Sequence, residues 1–277
     1  MSIFTDQTPV NPNGRLAGKV AFITGAGSVG DGWGNGRATA LRFAQEGAVV
    51  WGVDINADAL QNTAEMIQKA GGIFHSGYCN VMEPASIEAS VHACHEKHSH
   101  IDILVNNVGG SAKGGPVEMD ETVWDAQMDY NLKSIFLTCK HVLPIMQKQS
   151  GGSIVNIAST SGTRWTGAAQ IAYASSKAGV IHFSKVLAVQ YASDNIRVNT
   201  VIPGQLHTPM VSTRLAAQRA GGDVAALLKE RQARIPLPFM GDGRDTANAA
   251  LFLASEESRF VTGADIVVDG GMTARCA

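Results

Sequence analysis

The chain has 277 residues, 45% of them hydrophobic, with a formal net charge of −2. That length suits one large α/β domain around a single core, and the near-neutral charge leaves no electrostatic footprint for nucleic acid or an anionic membrane. No apolar stretch approaches the ~20 residues that span a bilayer, and the first residues lack the basic-then-apolar pattern of a secretory signal, so a soluble, cytoplasmic protein is expected.

Residues 1–17 are polar and rich in Asn and Pro, and read as a flexible N-terminal arm ahead of a single domain over 18–277. From Lys19 onward, short Val/Ile-rich runs alternate with longer stretches of helical period. VAFIT (20–24), VVWGVD (49–54), DILVNN (102–107), SIVNIAS (153–159), IRVNTVIP (196–203) and DIVVDG (265–270) read as six buried strands. Their nearly continuous apolar content indicates strands covered on both faces, as in a parallel sheet. Helices are expected at 35–46, 57–70, 84–98, 121–149, 173–192 and 244–254. This repetition predicts a Rossmann-type doubly wound parallel sheet with helices on both faces. The irregular zone 205–243, with a helical patch at 221–233, is long enough to read as a substrate lid. Its mixture of leucines and cations suits either a closing helix pair or recognition of an anionic substrate.

The first strand runs into TGAGSVGDGWGNGRATALRFAQEG, a glycine-rich turn of the kind that lets backbone approach a pyrophosphate at a helix N-terminus. A literal GxGxxG occurs at Gly25, Gly27 and Gly30, but DGWG after it starts a helix poorly. The helix is therefore expected to begin near Asn35, with Gly25 opening the turn and Gly34 and Gly36 closing it. Asp54 lies 20 residues after Gly34 at the end of the second strand. There it would accept hydrogen bonds from ribose hydroxyls and repel a 2′-phosphate, which favours NAD(H) over NADP(H). Two alternatives stand beside this reading: Asp54 as a helix cap, and Arg37 as a 2′-phosphate ligand.

Tyr173 and Lys177 are i and i+4, so a helix places them on one face. A free phenol titrates near ~10 and is a poor base at neutral pH. A cation about 4 Å away is worth roughly 4 kcal/mol at an effective dielectric of 20, enough to lower that value by up to ~3. Proton transfer needs such a pair, and the spacing supplies it. VHACHEKHSH (91–100) invites a metal reading, but its histidines and Cys94 do not share a face at ligand spacing. They suit a helix C-terminus through the dipole, and no metal is expected. Cys79, Cys94, Cys139 and Cys276 are scattered without a CxxC pair and read as reduced thiols.

Taken together, TG…GNG followed by Asp54, NNVG (106–109), Ser159, YASSK (173–177) and PGQLHT (203–208) resemble the short-chain dehydrogenase/reductase family over residues 18–273. One departure is about five extra residues between Gly25 and Gly34. The resemblance implies that Tyr173 exchanges a proton with the substrate oxygen while hydride passes to or from the nicotinamide. It also implies that Lys177 binds the nicotinamide ribose, and that Ser159 (with Ser161 as rival) holds the substrate oxygen. Asn131 would position a water leading from Lys177 to solvent. Gly25, Gly34, Asn35, Gly36, Asp54, Ile55, Asn80, Val81, Asn107, Val108 and Gly109 would line the adenosine and pyrophosphate side of the cofactor. Pro203 and Gly204, which break the chain as a strand ends, would also line the cofactor, and Leu206 and Thr208 would meet its carboxamide.

Ser111, Trp165, Gln170 and His207 neighbour these motifs and are candidate substrate contacts. The resemblance further implies a homotetramer or homodimer, assembled through the helices at 121–149 and 173–192 and the C-terminal strand region. The expected activity is reversible hydride transfer between NAD(H) and a secondary alcohol or ketone, a small-molecule substrate. The alternatives are an NADPH-dependent 3-oxoacyl-thioester reductase and, from another class, a cofactor-binding regulatory protein without chemistry. The regulatory reading fits less well because both Tyr173 and Lys177 are present.

Overall fold

Seven parallel strands form one sheet in the order β3-β2-β1-β4-β5-β6-β7; the computed structural model that shows this describes residues 3–215 and 221–276. The strands are β1 (Val20–Thr24), β2 (Val49–Asp54), β3 (Ile73–Tyr78), β4 (Ile103–Asn106), β5 (Gly152–Ile157), β6 (Ile196–Pro203) and β7 (Asp265–Val268). Alternation along β1 shows why both faces must be covered. Ala21 and Ile23 join one buried cluster, with Leu41 and Phe43 of α1 (Asn35–Gln45), Leu60 and Ile67 of α2 (Ala57–Lys69) and Leu251 of α8 (Gly243–Ala254). Val20 and Phe22 join the other, with Ile87 of α3 (Pro84–His98), Val142 of α5 (Ser134–Lys148) and Val180 of α6 (Ile171–Gln190). Winding reverses between β1 and β4, and a doubly wound sheet binds its ligands at the carboxyl ends of the strands beside that switch.

Three expectations need correction. The strand β3 was not among the six read from sequence: IFHSGY carries a His, a Ser and a Gly because it is an edge strand paired only with β2 and partly exposed along its length. The helix expected over 121–149 is α4 (Glu121–Met128) and α5 separated by a π turn at Asp129–Lys133; one widened turn inside a helix is a common accompaniment of functional sites. The described part of the N-terminal segment is also not loose. Gln45 Nε2 donates to the carbonyls of Thr5 and Thr8, at 2.8 and 3.0 Å, and Leu16 is buried. Phe4 packs edge-on against Trp33 and under the Arg42 guanidinium.

Within the expected lid, residues 211–215 form a second π turn and α7 spans Val224–Ala233. Residues 216–220 of that lid lie outside the described residues, as do residues 1, 2 and 277. Among the described residues no helix is long and apolar enough to cross a membrane.

Candidate active site

At the carboxyl edge of the sheet lies a cleft of about 450 Å³, running from the glycine turn after β1 to the lid. Every residue expected to bind cofactor or substrate lines it except Asn131, Trp165 and His207. At one end, Gly25 adopts φ +64°, and its carbonyl oxygen would lie 1.8 Å from a Cβ placed on Gly36. Backbone here packs on backbone, so only glycine fits. The helix α1 starts at Asn35 with Gly34 as its cap residue, as the sequence predicts, and no side chain caps its first amides. Those amides face the cleft with their share of the helix dipole. Asn35 Oδ1 is buried without a hydrogen-bond partner among the described residues.

Asp54 closes this end. Its Oδ2 accepts from the Gly27 amide at 3.1 Å, and its Oδ1 accepts from the Asn56 amide at 3.0 Å. The cap of α2 is Asn56, whose side chain accepts from the Ala59 amide, so the capping alternative for Asp54 falls away. Arg37 is also accounted for: Nη1 donates to the carbonyls of Gly30 and Gly32, holding the enlarged loop together. Of the extra residues, Ser28 and Val29 line the cleft, whereas Gly30 turns toward Pro209 and Thr213 of the lid and Trp33 lies under the Arg244 guanidinium. Asn80 spends its side chain on a turn, donating to Glu83 Oε1 and accepting from the Met82 amide. Its carbonyl oxygen keeps a second lone pair.

The other end is built around Lys177. Only 2% of this residue is exposed; Nζ donates to the Ile157 carbonyl at 2.7 Å and stands 6.0 Å from the centre of the Tyr173 ring. Burial pushes the ammonium down from 10.5 to about 8, because a low-dielectric surround disfavours the charged form. A Cβ on Gly109 would lie 2.9 Å from that Nζ and 3.1 Å from Asn131 Oδ1, so a side chain in the loop after β4 would have to displace the lysine tip.

Asn131 sits in the π turn with no exposed surface. Its Oδ1 accepts from the Gly110 amide, and its Nδ2 donates to the carbonyls of Gly110 and Gln127. The side chain is therefore a clamp on the Gly109–Gly110 loop behind Lys177, and its neighbour Tyr130 lines the cleft instead. Ser159 opens toward the cleft in extended backbone, accepting from the Ser161 amide. The rival, Ser161, is committed to Thr166 Oγ1 and Gln170 Nε2, at 3.1 and 2.7 Å.

His207 points to solvent while its amide donates to the Gly241 carbonyl, and Trp165 is 74% exposed in a separate hollow. Ser28, Tyr130 and Gln205 line the cleft without having been anticipated, and of the expected lid Met210 and Arg231 line it. Gln205 could have been found, since it stands inside PGQLHT. The buried Arg231 on α7, which donates to the Leu206 carbonyl, could not: nothing in LLKERQA marks one cation as inward. Elsewhere, His98 rests in a ring cluster with Trp51 and His75, and His92 pairs with Glu96. Cys79, Cys94 and Cys139 are buried free thiols.

Comparison with known proteins agrees with this arrangement. Residues 30–273 match the family model described as Enoyl-(Acyl carrier protein) reductase. The chain is 41% identical to the 3-oxoacyl-[acyl-carrier-protein] reductase of Thermotoga maritima over 93% of its own length and 99% of that protein's. A solved protein from Burkholderia xenovorans described as a short-chain dehydrogenase/reductase superposes with a TM-score of 0.92 at 59% identity, covering 95% of this chain and 100% of that one. Carveol dehydrogenase from Mycobacterium avium, solved in complex with NAD, gives 0.86 at 32% identity over 95% and 100%. The chain belongs to the short-chain dehydrogenase/reductase family of oxidoreductases.

Proposed function

We propose that this oxidoreductase moves a hydride reversibly between NAD(H) and a secondary alcohol or ketone, with Tyr173 exchanging the proton at the substrate oxygen. The observation that carries the reading is the buried Lys177 beside Tyr173 in a cleft whose far end is closed by Asp54. The residues present fit a nicotinamide dinucleotide. A glycine cradle that a Cβ would fill, uncapped helix amides and the orphaned Asn35 Oδ1 suit a pyrophosphate. When bound, the nicotinamide would supply the hydride acceptor or donor.

All other steps fall to the chain's own groups. Ser159 donates a hydrogen bond to the carbonyl or carbinol oxygen and fixes its position. The Tyr173 hydroxyl gives that oxygen its proton in reduction and takes it in oxidation. Lys177 supplies a positive charge that favours the phenolate, and its ammonium would donate to a ribose hydroxyl of the bound cofactor. The Asp54 carboxylate accepts from ribose hydroxyls and repels a 2′-phosphate, while Arg37 is engaged elsewhere, which supports NAD. Exposed apolar side chains on α5 and α6, Phe136, Val186 and Val189, support assembly through those helices.

Tyr173→Phe tests the reading. Turnover of a panel of secondary alcohols and ketones, followed by NADH absorbance, should fall by about 10²–10⁴ while NADH binding persists. Near-normal kcat in that variant would overturn the assignment. A 3-oxoacyl-thioester substrate is the second reading, favoured by the similarity to the Thermotoga maritima protein. Preferential reduction of acetoacetyl thioesters with NADPH in the same panel would establish it instead.

A further inference from the structure

Beyond Thr166 the cleft is succeeded by a second hollow of about 520 Å³, lined by Arg164, Trp165, Thr166, Gly167, Arg234 and Arg275 among others. Thr166 belongs to both: its hydroxyl meets Ser161 and Gln170 on the cleft side, and its carbonyl accepts from Arg234 Nη1 at 2.8 Å on the other. Three arginines line it in a chain whose net charge is −2. No carboxylate lines the hollow among the described residues. Of the nearby acids, Asp269 is engaged with the amides of Gly271 and Thr273, whereas Glu230 pairs with Arg234 itself and offsets part of its charge.

Two of the cations are held in place. Arg234 lies over Gly167, at φ +85°, so closely that a Cβ there would sit 2.7 Å from Nη1. Arg275 donates to the Ala233 carbonyl at the end of α7. Arg164 is exposed, and its side chain makes no hydrogen bond or ion pair among the described residues. Beside it the Trp165 indole, 74% exposed, offers a flat apolar face. Two hydrogen-bonded guanidinium groups, one uncommitted guanidinium and an open aromatic plane, in a hollow that shares Thr166 with the cleft, form a receptor for the far end of an elongated anion.

We propose that the hollow is an anion subsite, and that the substrate carries a carboxylate or phosphate at the end remote from its reacting carbinol. This rests on the alcohol/ketone reading above for its connection to catalysis, but not for its binding chemistry. Arg164, Arg234 and Arg275 hold the anionic group, and Trp165 covers the chain that leads to it. Such contacts are partly wet, so the selectivity they give falls with ionic strength.

The test uses methyl ketones with a terminal carboxylate, from 4-oxopentanoate to 8-oxononanoate, and their methyl esters, reduced by the NADH-loaded enzyme. At one chain length the carboxylate should show a KM about tenfold below that of its ester, a preference that shrinks in high salt. In Arg164→Ala/Arg275→Ala the ratio should fall toward one. Equal KM values at every length, or a preference that survives in the double variant, would overturn the subsite. The charge-reversed Arg164→Glu, at an exposed side chain with no hydrogen bond or ion pair among the described residues, gives the same answer should the double variant fail to fold: the ester becomes the better substrate.

A phosphate-terminated ketone of the best length separates the two anion classes. A turnover-independent arm titrates the same carboxylates and esters against the NAD⁺ complex, where a ketone cannot be reduced, and reads tryptophan fluorescence. Quenching by the carboxylate and not the ester, lost in Trp165→Phe, supports the subsite even where no ketone in the panel turns over, an outcome that would sink the ketone reading alone. Absence of quenching together with equal KM values sinks the subsite while leaving hydride transfer intact.

Discussion

The two ends of the cleft are built on opposite plans. At the end formed by Gly25, Gly36 and Asp54, backbone meets backbone: the fit depends on side chains that are missing, and the one carboxylate is held by two amides, Gly27 from the turn after β1 and Asn56 from the turn after β2. At the lid end, long side chains reach in from scattered segments, with Gln170 before α6, Gln205 after β6, and Arg231 and Arg234 on and just after α7. The first plan suits a ligand whose pyrophosphate is always the same. The second lets the substrate site be respecified by changing one side chain without disturbing the sheet. A methyl group added at each end should therefore have very different consequences.

Gly36→Ala is expected to have the largest effect. Its Cβ would overlap the Gly25 carbonyl oxygen at 1.8 Å, and Asn107 Nδ2 at 2.5 Å leaves no direction for relief. Either α1 moves or the turn opens, and both withdraw amides from the pyrophosphate. NADH affinity, titrated by fluorescence, should fall about 100-fold or more, in keeping with overpacking costs of roughly 1–3 kcal/mol plus lost hydrogen bonds. Retention of affinity would show that the glycine cradle is not where the cofactor sits.

Asp54→Asn comes next. It removes the charge that repels a 2′-phosphate and leaves one of two amides, Gly27 or Asn56, without its acceptor. The ratio of kcat/KM with NAD⁺ to that with NADP⁺ should drop about tenfold. An unchanged ratio removes the ribose role, and with it the case for NAD.

The same contrast explains what could be read from sequence. The places of Gly25, Gly34, Asn35 and Asp54 in the cleft were legible because local spacing along one β-α-β unit fixes them. Tyr173 and Lys177 were legible because one helix fixes their separation. The edge strand β3 was not, since exposure gives Ile73–Tyr78 the polar content that a buried strand lacks. Nor was the breakdown of Asn131 and Tyr130 into clamp and lining, which depends on a π turn that shifts the register of every following side chain. Which of the lid cations turns inward, and the arginine hollow itself, were not legible because the three segments that line the hollow, 164–167, Arg234 and 272–275, meet only after folding. The apparent arm at 3–17 misled because its anchors are single residues, Phe4 and Leu16, in a polar context.

Lys177 belongs to neither plan, being a long charged side chain sealed in the backbone-tight region. With its ammonium lowered from 10.5 to about 8 by burial, the unfolded chain binds more protons than the folded one across that window. The penalty of burying the charge is complete below pH 8 and disappears as pH rises to 10.5. The gap corresponds to up to about 3 kcal/mol, of which the bond to the Ile157 carbonyl offsets about 1 kcal/mol when it is lost. Lys177→Met should therefore stabilise the cofactor-free protein by about 1–2 kcal/mol at pH 7 and by little at pH 10, while turnover collapses. Denaturant unfolding at the two pH values reads the difference, and equal effects at both would mean that the ammonium is well solvated.

Gly167→Ala supplies the matched substitution at the lid end, and the smallest effect. Position 167 has φ +85°, and the added Cβ meets the end of Arg234 at 2.7–2.9 Å. A guanidinium tip can move where a peptide carbonyl cannot, so the strain is local and costs on the order of 1 kcal/mol. NADH affinity should stay within twofold of the parent, because nothing in the glycine turn is touched. The change should appear as a several-fold rise in KM for a carboxylate-bearing ketone, with the methyl ester hardly affected, since displacing Arg234 misplaces one of three cations. If Gly167→Ala weakened NADH binding as strongly as Gly36→Ala, the two ends would be mechanically coupled, and the lid contacts of Gly30 with Pro209 and Thr213 would be the path.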